Sequence, residues 1–477
     1  MKSIRQIVQA LSTSDIDGVE KAFIRRNDKI AMLFSKLLND ETDDKIKDDL
    51  RVNANAYSTL RSRLRIKVQD HLIALPDMPK ADVLKKLLSI EDIVFNQKPT
   101  IAVTTLKKLE VELIRYDLSN ELTTIYKYLK KLHLNTNAYF HYSQLYNRHV
   151  AYSLALDKAE DILANYFKVY GLYYTMSDSS KVLELTALFE EMKNVCALYQ
   201  SHRMFIYLAS LQIFHTLFVD EKALVKYKLE PVEDILRQVE AIFKQYPEDR
   251  IYKHLDLLFL YIRFEYYLKH GIIAKTRLLL SELEPLSSDL LVHYENFTYP
   301  PQLLVGKLEL YIQGHISVAD FKNFDEFNDL DIDSCSKSAR VTYFTYRALS
   351  CLYMEEYTEA SKWLFTLNNQ VSLKEHPVLS LELKCLTAYI KFLQQDSILF
   401  KQNLTSAQRA LRIIGAENCP HLAVFVKMLG ILLSGSGKNK SAKLKQQVLL
   451  LNQFRLKRFQ PTLYINLQFE FLQKRIS

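Results

Sequence analysis

Glycine and proline are scarce in this chain, which has 9 Gly and 11 Pro among its 477 residues. Their combined share is about a third of that in average proteins. Antiparallel sandwiches and barrels need tight turns at short intervals, and nucleotide-binding α/β folds need glycine-rich phosphate loops, so the composition disfavours both classes. A series of helices joined by short polar loops needs few residues of either type. The composition therefore indicates an all-α fold.

Long apolar runs are also missing. The most apolar segment, residues 255–268, is interrupted by Asp256, Arg263 and Glu265, and the first eleven residues lack the apolar core of a secretory signal. The five cysteines form neither a CxxC pair nor a Cys/His cluster with zinc-binding spacing, and their odd number suits a reducing compartment. We therefore expect a cytoplasmic protein that does not interact with membranes.

Motifs of catalysis and cofactor binding are absent from the sequence. HExxH, GxSxG and GxGxxG do not occur, and no acidic loop has calcium-binding spacing. Residues 432–439 resemble a phosphate loop only superficially, because Leu432 and Asn439 stand where a Walker motif needs Gly and Ser or Thr. We expect no enzyme activity and no catalytic, cofactor-binding or metal-binding residues.

The formal net charge of +8 belongs to the C-terminal end of the chain. Residues 438–477 contain nine basic residues and one acidic residue, whereas the rest of the chain is balanced. A basic C-terminal tail of this kind can attract phosphate-rich partners; a solvated helix face that aids solubility is the other interpretation. A second basic group near the N-terminus consists of Arg61, Arg63, Arg65 and Lys67.

Apolar residues recur at helical spacing along most of the chain, and the turns in its C-terminal half are regularly spaced. The turns are centred on Gly271, Gly314, Glu355, Gln395 and Gly435, at intervals of 43, 41, 40 and 40 residues. A fixed period in this range is typical of stacked helical pairs, because one pair buries both its faces only when it has neighbours. Each turn is expected to separate a longer first helix from a second helix.

The pattern also predicts how the chain is organised. Residues 1–78 form an N-terminal helical segment that packs on the repeat array or precedes it. Residues 79–477 form the array, most regular from 250 to 456, with the basic tail at 438–477. Between 138 and 250 the repeat boundaries are open: residues 138–174 and 181–218 are each predicted to be one long repeat helix or a broken pair.

Residues 346–367 resemble tetratricopeptide-like repeats. Ala348 is the small residue of a first helix, Tyr357 the aromatic residue that opens the second, and Ala360 the alanine three residues later. The period of 40–43 residues departs from the family's period of about 34, and most repeats lack the full set of small residues. The resemblance covers about residues 80–470 at the level of a superfamily. It implies a right-handed superhelical array of antiparallel helix pairs, a TPR-like α-solenoid, and a role in binding a partner.

Aromatic residues are frequent in the first helices, often beside Arg or Asn, and first helices line the concave face of arrays in this family. Tyrosine offers a large contact area, and Arg or Asn can hold a peptide backbone or a carboxylate. Tyrosines that fill gaps between repeats are an equally good explanation. The candidate groove residues are Tyr146, Asn147, Arg203, Tyr207, Arg263, Tyr267, Tyr343 and Arg347.

Three functions remain open at this point. The leading hypothesis is a non-catalytic scaffold or adaptor that binds a protein or peptide on its concave face. A nucleic-acid-binding protein that uses the basic C-terminal region is the second, although the electrically balanced body argues against it. An all-helical enzyme whose site is gathered from distant helices is the third.

Overall fold

The protein is all-α in the computed structural model, and none of the residues that the structure describes lies in a β-strand. The described residues are 4–9, 11, 13–21, 28–73, 79–199, 201–247, 249–322, 332, 335–434, 440–454, 458–465 and 467. Over these ranges, no helix combines the length and apolar character needed to cross a bilayer. Contacts divide the chain into two units, Met1–Ile90 and Glu91–Ser477.

The N-terminal unit contains short helices around its own apolar core. These helices are α1 (Ile4–Gln9), α2 (Thr13–Lys21), α3 (Lys29–Leu38), α4 (Asp43–Leu50), α5 (Ala54–Ile73) and α6 (Pro79–Leu88). Leu33, Phe34 and Leu37 of α3 are buried together with Leu64 and Val68 of α5, so α3 packs along α5. The boundary predicted at residue 78 stays a prediction, since residues 74–78 lie outside the described ranges.

Acidic residues of this unit neutralise part of the predicted N-terminal basic group. The guanidinium of Arg61 lies 3.4 Å from Asp43, and the ammonium of Lys67 lies 3.8 Å from Asp28. Arg5 also contacts Asp43, at 2.6 Å. Exposed pairs of this kind add little stability, but they reduce the positive field that a nucleic acid would meet.

The second unit is a long series of helices. They are α7 (Ile90–Asn96), α8 (Pro99–Arg115), α9 (Ser119–Leu132), α10 (Ala138–Tyr174), α11 (Lys181–Leu198), α12 (His202–Phe214), α13 (Ala223–Lys226), α14 (Val232–Gln245), α15 (Arg250–Lys269), α16 (Ile273–Leu283), α17 (Ser287–His293), α18 (Gln302–Ile312), α19 (Ala319–Lys322), α20 (Lys337–Tyr353), α21 (Tyr357–Gln370), α22 (Pro377–Leu393), α23 (Ser397–Ile414), α24 (Pro420–Leu433) and α25 (Lys440–Leu451). A π-helical turn, His215–Val219, and two 3₁₀ turns, Glu284–Leu286 and Pro461–Tyr464, complete the unit.

Helices pack in consecutive pairs through the C-terminal half of this unit. The pairs are α15 with α16, α20 with α21, α22 with α23, and α24 with α25. Three residues connect the two helices in each of the first three pairs, so these helices run antiparallel. Neighbouring pairs also touch, because α18 contacts α20, α21 contacts α22, and α22 contacts α24.

The predicted turns adopt one backbone geometry. Gly271, Gly314, Glu355 and Gln395 all have positive φ, between 60° and 75°, and each follows the end of a first helix. Hydrogen bonds of the Schellman type close the turns, as when the N–H of the residue after Glu355 donates to the Cys351 carbonyl at 2.8 Å. The fifth turn, at Gly435, lies outside the described residues. After Gly314 the described part of the second helix is Ala319–Lys322.

The two predicted long stretches behave differently. Residues 138–174 form one continuous helix, α10, of 37 residues. Residues 181–218 are interrupted, because α11 ends at Leu198 and α12 begins after Ser201, whose hydroxyl accepts a hydrogen bond from the Met204 N–H at 3.2 Å. Both α11 and α12 pack against α10. The second stretch is therefore a pair of helices with an N-cap at Ser201.

Candidate binding site

Residues 458–465, which follow α25 in the chain, lie against helices of the same unit. We call residues 458–465 and 467 the C-terminal segment. Its 3₁₀ turn contacts α18, α20 and α22. Phe459 has no exposed surface, and Thr462, Ile465 and Leu467 are also buried. These residues of the predicted basic tail are therefore part of the apolar core and not a solvated tail.

The segment begins with two contacts to the end of α10. The backbone N–H of Phe459 donates to the carbonyl of Tyr174 at 3.1 Å. The guanidinium of Arg458 donates to the carbonyl of Ser177 at 3.1 Å, and it lies over the ring of Tyr173. A basic residue of the predicted tail thus satisfies carbonyls beyond the C-terminus of α10, where a positive charge is favoured.

A buried contact between a glutamate and a histidine holds the middle of the segment. Glu382 on α22 and His421 on α24 are both almost fully buried, and Nε2 of His421 lies 2.6 Å from Oε1 of Glu382. The other carboxylate oxygen of Glu382 accepts the backbone N–H of Thr462 at 3.0 Å. One side chain therefore ties two helical pairs to the C-terminal segment.

Tyr464 anchors the end of the segment. Its hydroxyl donates to Oε1 of Glu309 on α18 at 2.9 Å, and its carbonyl accepts the hydroxyl of Tyr353 on α20. Burial raises the pKa of both Tyr464 and Glu309. A neutral phenol that donates to a carboxyl group is consistent with these directions.

A cavity of about 120 Å³ adjoins the segment. Glu265 on α15 and Gln302 on α18 line it, and both are buried. Nε2 of Gln302 donates to Oε2 of Glu265 at 2.9 Å, while Oε1 of Gln302 accepts the hydroxyl of Tyr170 at 2.7 Å. Burial, and secondarily the charge of Glu309, raises the pKa of Glu265 to about 8. No group of His, Cys, Asp and Glu side chains in the described ranges is arranged to hold a metal ion.

The candidate residues from the sequence lie mostly between paired helices. Arg263 reaches Glu240 on α14 at 3.4 Å, and Lys275 of α16 lies over the ring of Tyr267. Arg347 stacks over Trp363 of α21 at 4.9 Å, and Tyr343 meets the same ring edge-on. These four side chains therefore contact helices α14, α16 and α21.

The other four candidates lie nearer the N-terminal end of this unit. Tyr146 is half-buried beneath the ammonium of Lys130, and Asn147 is exposed. The hydroxyl of Tyr207 donates to Glu160 at 2.8 Å.

Arg203 lies one turn before Tyr207 on α12. It is only 9% exposed, and its Nε and Nη2 atoms have no hydrogen-bond partner. The structure thus brings Arg203 and Tyr207 close together, and neither takes part in the contacts to the C-terminal segment.

Sequence reasoning missed Glu265, Glu309 and Glu382. A signal was present for two of them, because Glu265 shares an apolar stripe with Leu258 and Ile262, and Glu382 follows Leu379 at helical spacing. A charged residue on such a stripe is buried and needs a partner. The partner of each group lies far away in the sequence, and no local pattern reveals it.

No known protein helps to assign the site. Neither models of protein families, nor curated proteins, nor solved structures match the chain. The site is therefore interpreted from its own geometry.

Proposed function

We propose that the second unit is a TPR-like α-solenoid, a right-handed superhelical array of antiparallel helix pairs, whose inner face binds an extended segment of a partner protein without catalysing a reaction. Two observations support this architecture: the pairs α15/α16, α20/α21, α22/α23 and α24/α25, and the turn residues with positive φ that recur after first helices. Ala348 and Ala360 are fully buried between α20 and α21, as a close approach of paired helices requires. Five free cysteines suit the cytoplasm.

The C-terminal segment is the observation that carries this proposal. It contacts α18, α20 and α22 through features that a peptide ligand uses. These are the Thr462 N–H that donates to Glu382, the buried ring of Phe459 and the Tyr464 hydroxyl that donates to Glu309. Buried aromatic anchors and charge-assisted backbone bonds are typical of peptide recognition. The segment therefore acts as an internal ligand, and a partner peptide competes with it.

A cleavable chain tests this proposal. A recognition sequence for a site-specific protease replaces residues 455–457, and the chain is cut only after it has folded. A labelled synthetic peptide with the sequence of residues 458–470 is then added, and its fluorescence anisotropy is followed. We expect the cut chain to exchange its own segment for the labelled peptide, whereas the uncut chain binds the peptide at least tenfold more weakly, because its segment is held at high effective concentration.

The matched control peptide carries serine in place of Phe459 and Tyr464. It should not exchange, because it lacks both the buried ring and the phenol that donates to Glu309. The proposal fails if the cut chain loses its segment yet binds neither peptide, or if it binds both peptides equally well.

A further inference from the structure

The cavity beside the C-terminal segment has the character of a small-molecule site. Its volume of about 120 Å³ has room for several water molecules or one small organic molecule. Two carboxyl groups line it, Glu265 from α15 and Glu309 from α18, and two basic side chains stand at its edge, Lys269 and Arg458. The site is therefore rich in charge of both signs.

One carboxylate oxygen in the cavity is unsatisfied. Glu265 is only 3% exposed, and its Oε1 atom has no hydrogen-bond partner. Gln302 donates to the other oxygen, and Oε1 of Gln302 already accepts the hydroxyl of Tyr170. The single hydroxyl proton of Tyr261 is used on the carbonyl of Tyr299 at 2.8 Å. A buried oxygen without a hydrogen-bond partner is unfavourable whether the carboxyl group is ionised or protonated, so a polar group on a ligand is favoured here.

The charged groups that line the cavity differ in burial. Glu265 is buried, whereas the side chain of Lys269 is exposed and lies 3.7 Å from Glu221. Arg458 is half-buried and donates to the carbonyl of Ser177. Glu265 is thus the most buried of the four charged groups, and Lys269 is the most exposed.

We propose that this cavity binds a small zwitterion, a molecule with an ammonium group and a carboxylate group, such as a free amino acid. The ammonium group points to Glu265 and Glu309, and the carboxylate group lies between Lys269 and Arg458. An amine alone or a carboxylate alone meets only half of these groups. The site does not require the proposed peptide binding, but it is complete only while the C-terminal segment is in place, because Arg458 and Tyr464 line the cavity.

Binding of such a ligand is coupled to a proton. The pKa of Glu265 is raised to about 8 because the group is buried, so its carboxyl group carries a proton at pH 7. An ammonium group at Oε1 favours the ionised form and releases that proton. The groups that face Glu265 are Glu309, Gln302, Tyr170, Tyr174, Tyr261 and Tyr464, together with Lys269 and Arg458 in the lining of the cavity.

Isothermal titration calorimetry on the full chain tests the site. The probes are the ω-amino acids from glycine to 5-aminovalerate, with propylamine and propionate as controls. We expect one member of the series to bind at least tenfold more tightly than either control, since only a zwitterion of the right length reaches both ends. Titrations at pH 7 in buffers of different ionisation enthalpy should show release of a proton for each ligand bound.

Two variants test whether ligand binding depends on Glu265 itself or on the loss of any glutamate charge. Glu265→Gln keeps the shape of the side chain and removes the ionisable group, so it should lose at least tenfold in affinity and release no proton. Glu282→Gln, an exposed position on α16, should bind as the unmodified chain does. Circular dichroism checks that both variants fold. Absence of binding by the whole series, equal binding of propylamine, or unchanged proton release in Glu265→Gln would overturn the proposal.

Discussion

The hydroxyl of Tyr464 donates a hydrogen bond to Oε1 of Glu309, although the two residues lie 155 positions apart in the sequence. Tyr464→Phe removes this donor and keeps the ring. A hydrogen bond to a carboxyl group contributes about 1 to 3 kcal/mol, so we expect the free energy of unfolding to fall by that amount. Hydrogen exchange should also become faster in residues 458–465. Tyr267→Phe, on α15 and away from the segment, is the matched control and should change stability by less than about 0.5 kcal/mol.

Removing the buried contact between Glu382 and His421 should lower stability more than Tyr464→Phe does. Glu382→Ala leaves the imidazole and the Thr462 N–H without their acceptor, and each buried donor left unsatisfied costs about 1 to 3 kcal/mol. Glu359→Ala removes an exposed partner of Lys362 on α21 and should cost less than about 0.5 kcal/mol. Urea unfolding of both variants provides the comparison. Equal losses in the two would mean that the pair does not hold the helices together.

Local sequence patterns were enough to predict the helices and several turns of this protein. Scarce glycine and helical spacing predict an all-α chain, and the turns at Gly271, Gly314, Glu355 and Gln395 have the predicted positions because a left-handed residue must end each first helix there. The break between α11 and α12 was left open. Its signal, an N-cap serine at position 201, is short and lies inside an apolar stretch.

The site could not be predicted in the same way. The contact between Arg458 and Ser177 joins residues 281 positions apart, and that between Thr462 and Glu382 joins residues 80 apart. Such contacts depend on how the pairs stack, which helical spacing does not encode. Counting basic residues made Arg458 part of a solvated tail, because charge counts contain no information about the apolar neighbours Phe459 and Ile465.

Substitution by alanine should change the stability of the protein in opposite directions at two helical glycines. A Cβ at Gly171 in α10 would meet the Oγ of Ser338 and lie 2.9 Å from the ring of Tyr299, whereas a Cβ at Gly430 in α24 meets nothing within 4 Å. Gly171→Ala should therefore destabilise the protein by about 1 to 3 kcal/mol through overpacking. Gly430→Ala should stabilise it by up to about 1 kcal/mol, because alanine loses less entropy in a helix. Thermal unfolding distinguishes these signs, and a loss in both variants contradicts the expectation.

The turn at Glu355 offers a stabilising substitution. Glu355 has φ of 62°, a left-handed conformation that costs a residue with a Cβ roughly 1 kcal/mol, and the corresponding turn residue Gly271 has φ of 67° without that cost. We expect Glu355→Gly to raise the free energy of unfolding by about 0.5 to 1 kcal/mol. Gly271→Ala should lower it by a similar amount, although nothing lies within 4 Å of the added Cβ. Denaturant unfolding of both variants measures the difference, and a loss of stability in Glu355→Gly would show that its side chain contributes more than its strain costs.

His215 should make the stability of the protein depend on pH below neutrality. Its ring is fully buried, stacks on Phe189 at 4.4 Å, and shares a hydrogen bond with the hydroxyl of Tyr166. Burial lowers its pKa from 6.5 to about 4. Because the unfolded chain takes up this proton first as the pH falls, the stabilisation is complete above pH 6.5 and is lost between pH 6.5 and 4.

The size of this effect follows from the shift in pKa, since one unit corresponds to about 1.4 kcal/mol. We expect His215 to remove between about 2 and 3 kcal/mol from the free energy of unfolding as the pH falls from 8 to 4.5. His215→Phe keeps an aromatic ring against Phe189 but cannot titrate. The difference in free energy of unfolding between the unmodified chain and this variant should therefore be constant above pH 7. As the pH falls to 4.5, the unmodified chain should lose that amount of stability relative to the variant. A difference that stays constant from pH 8 to 4.5 would mean that the imidazole takes up its proton equally in the folded and unfolded chains.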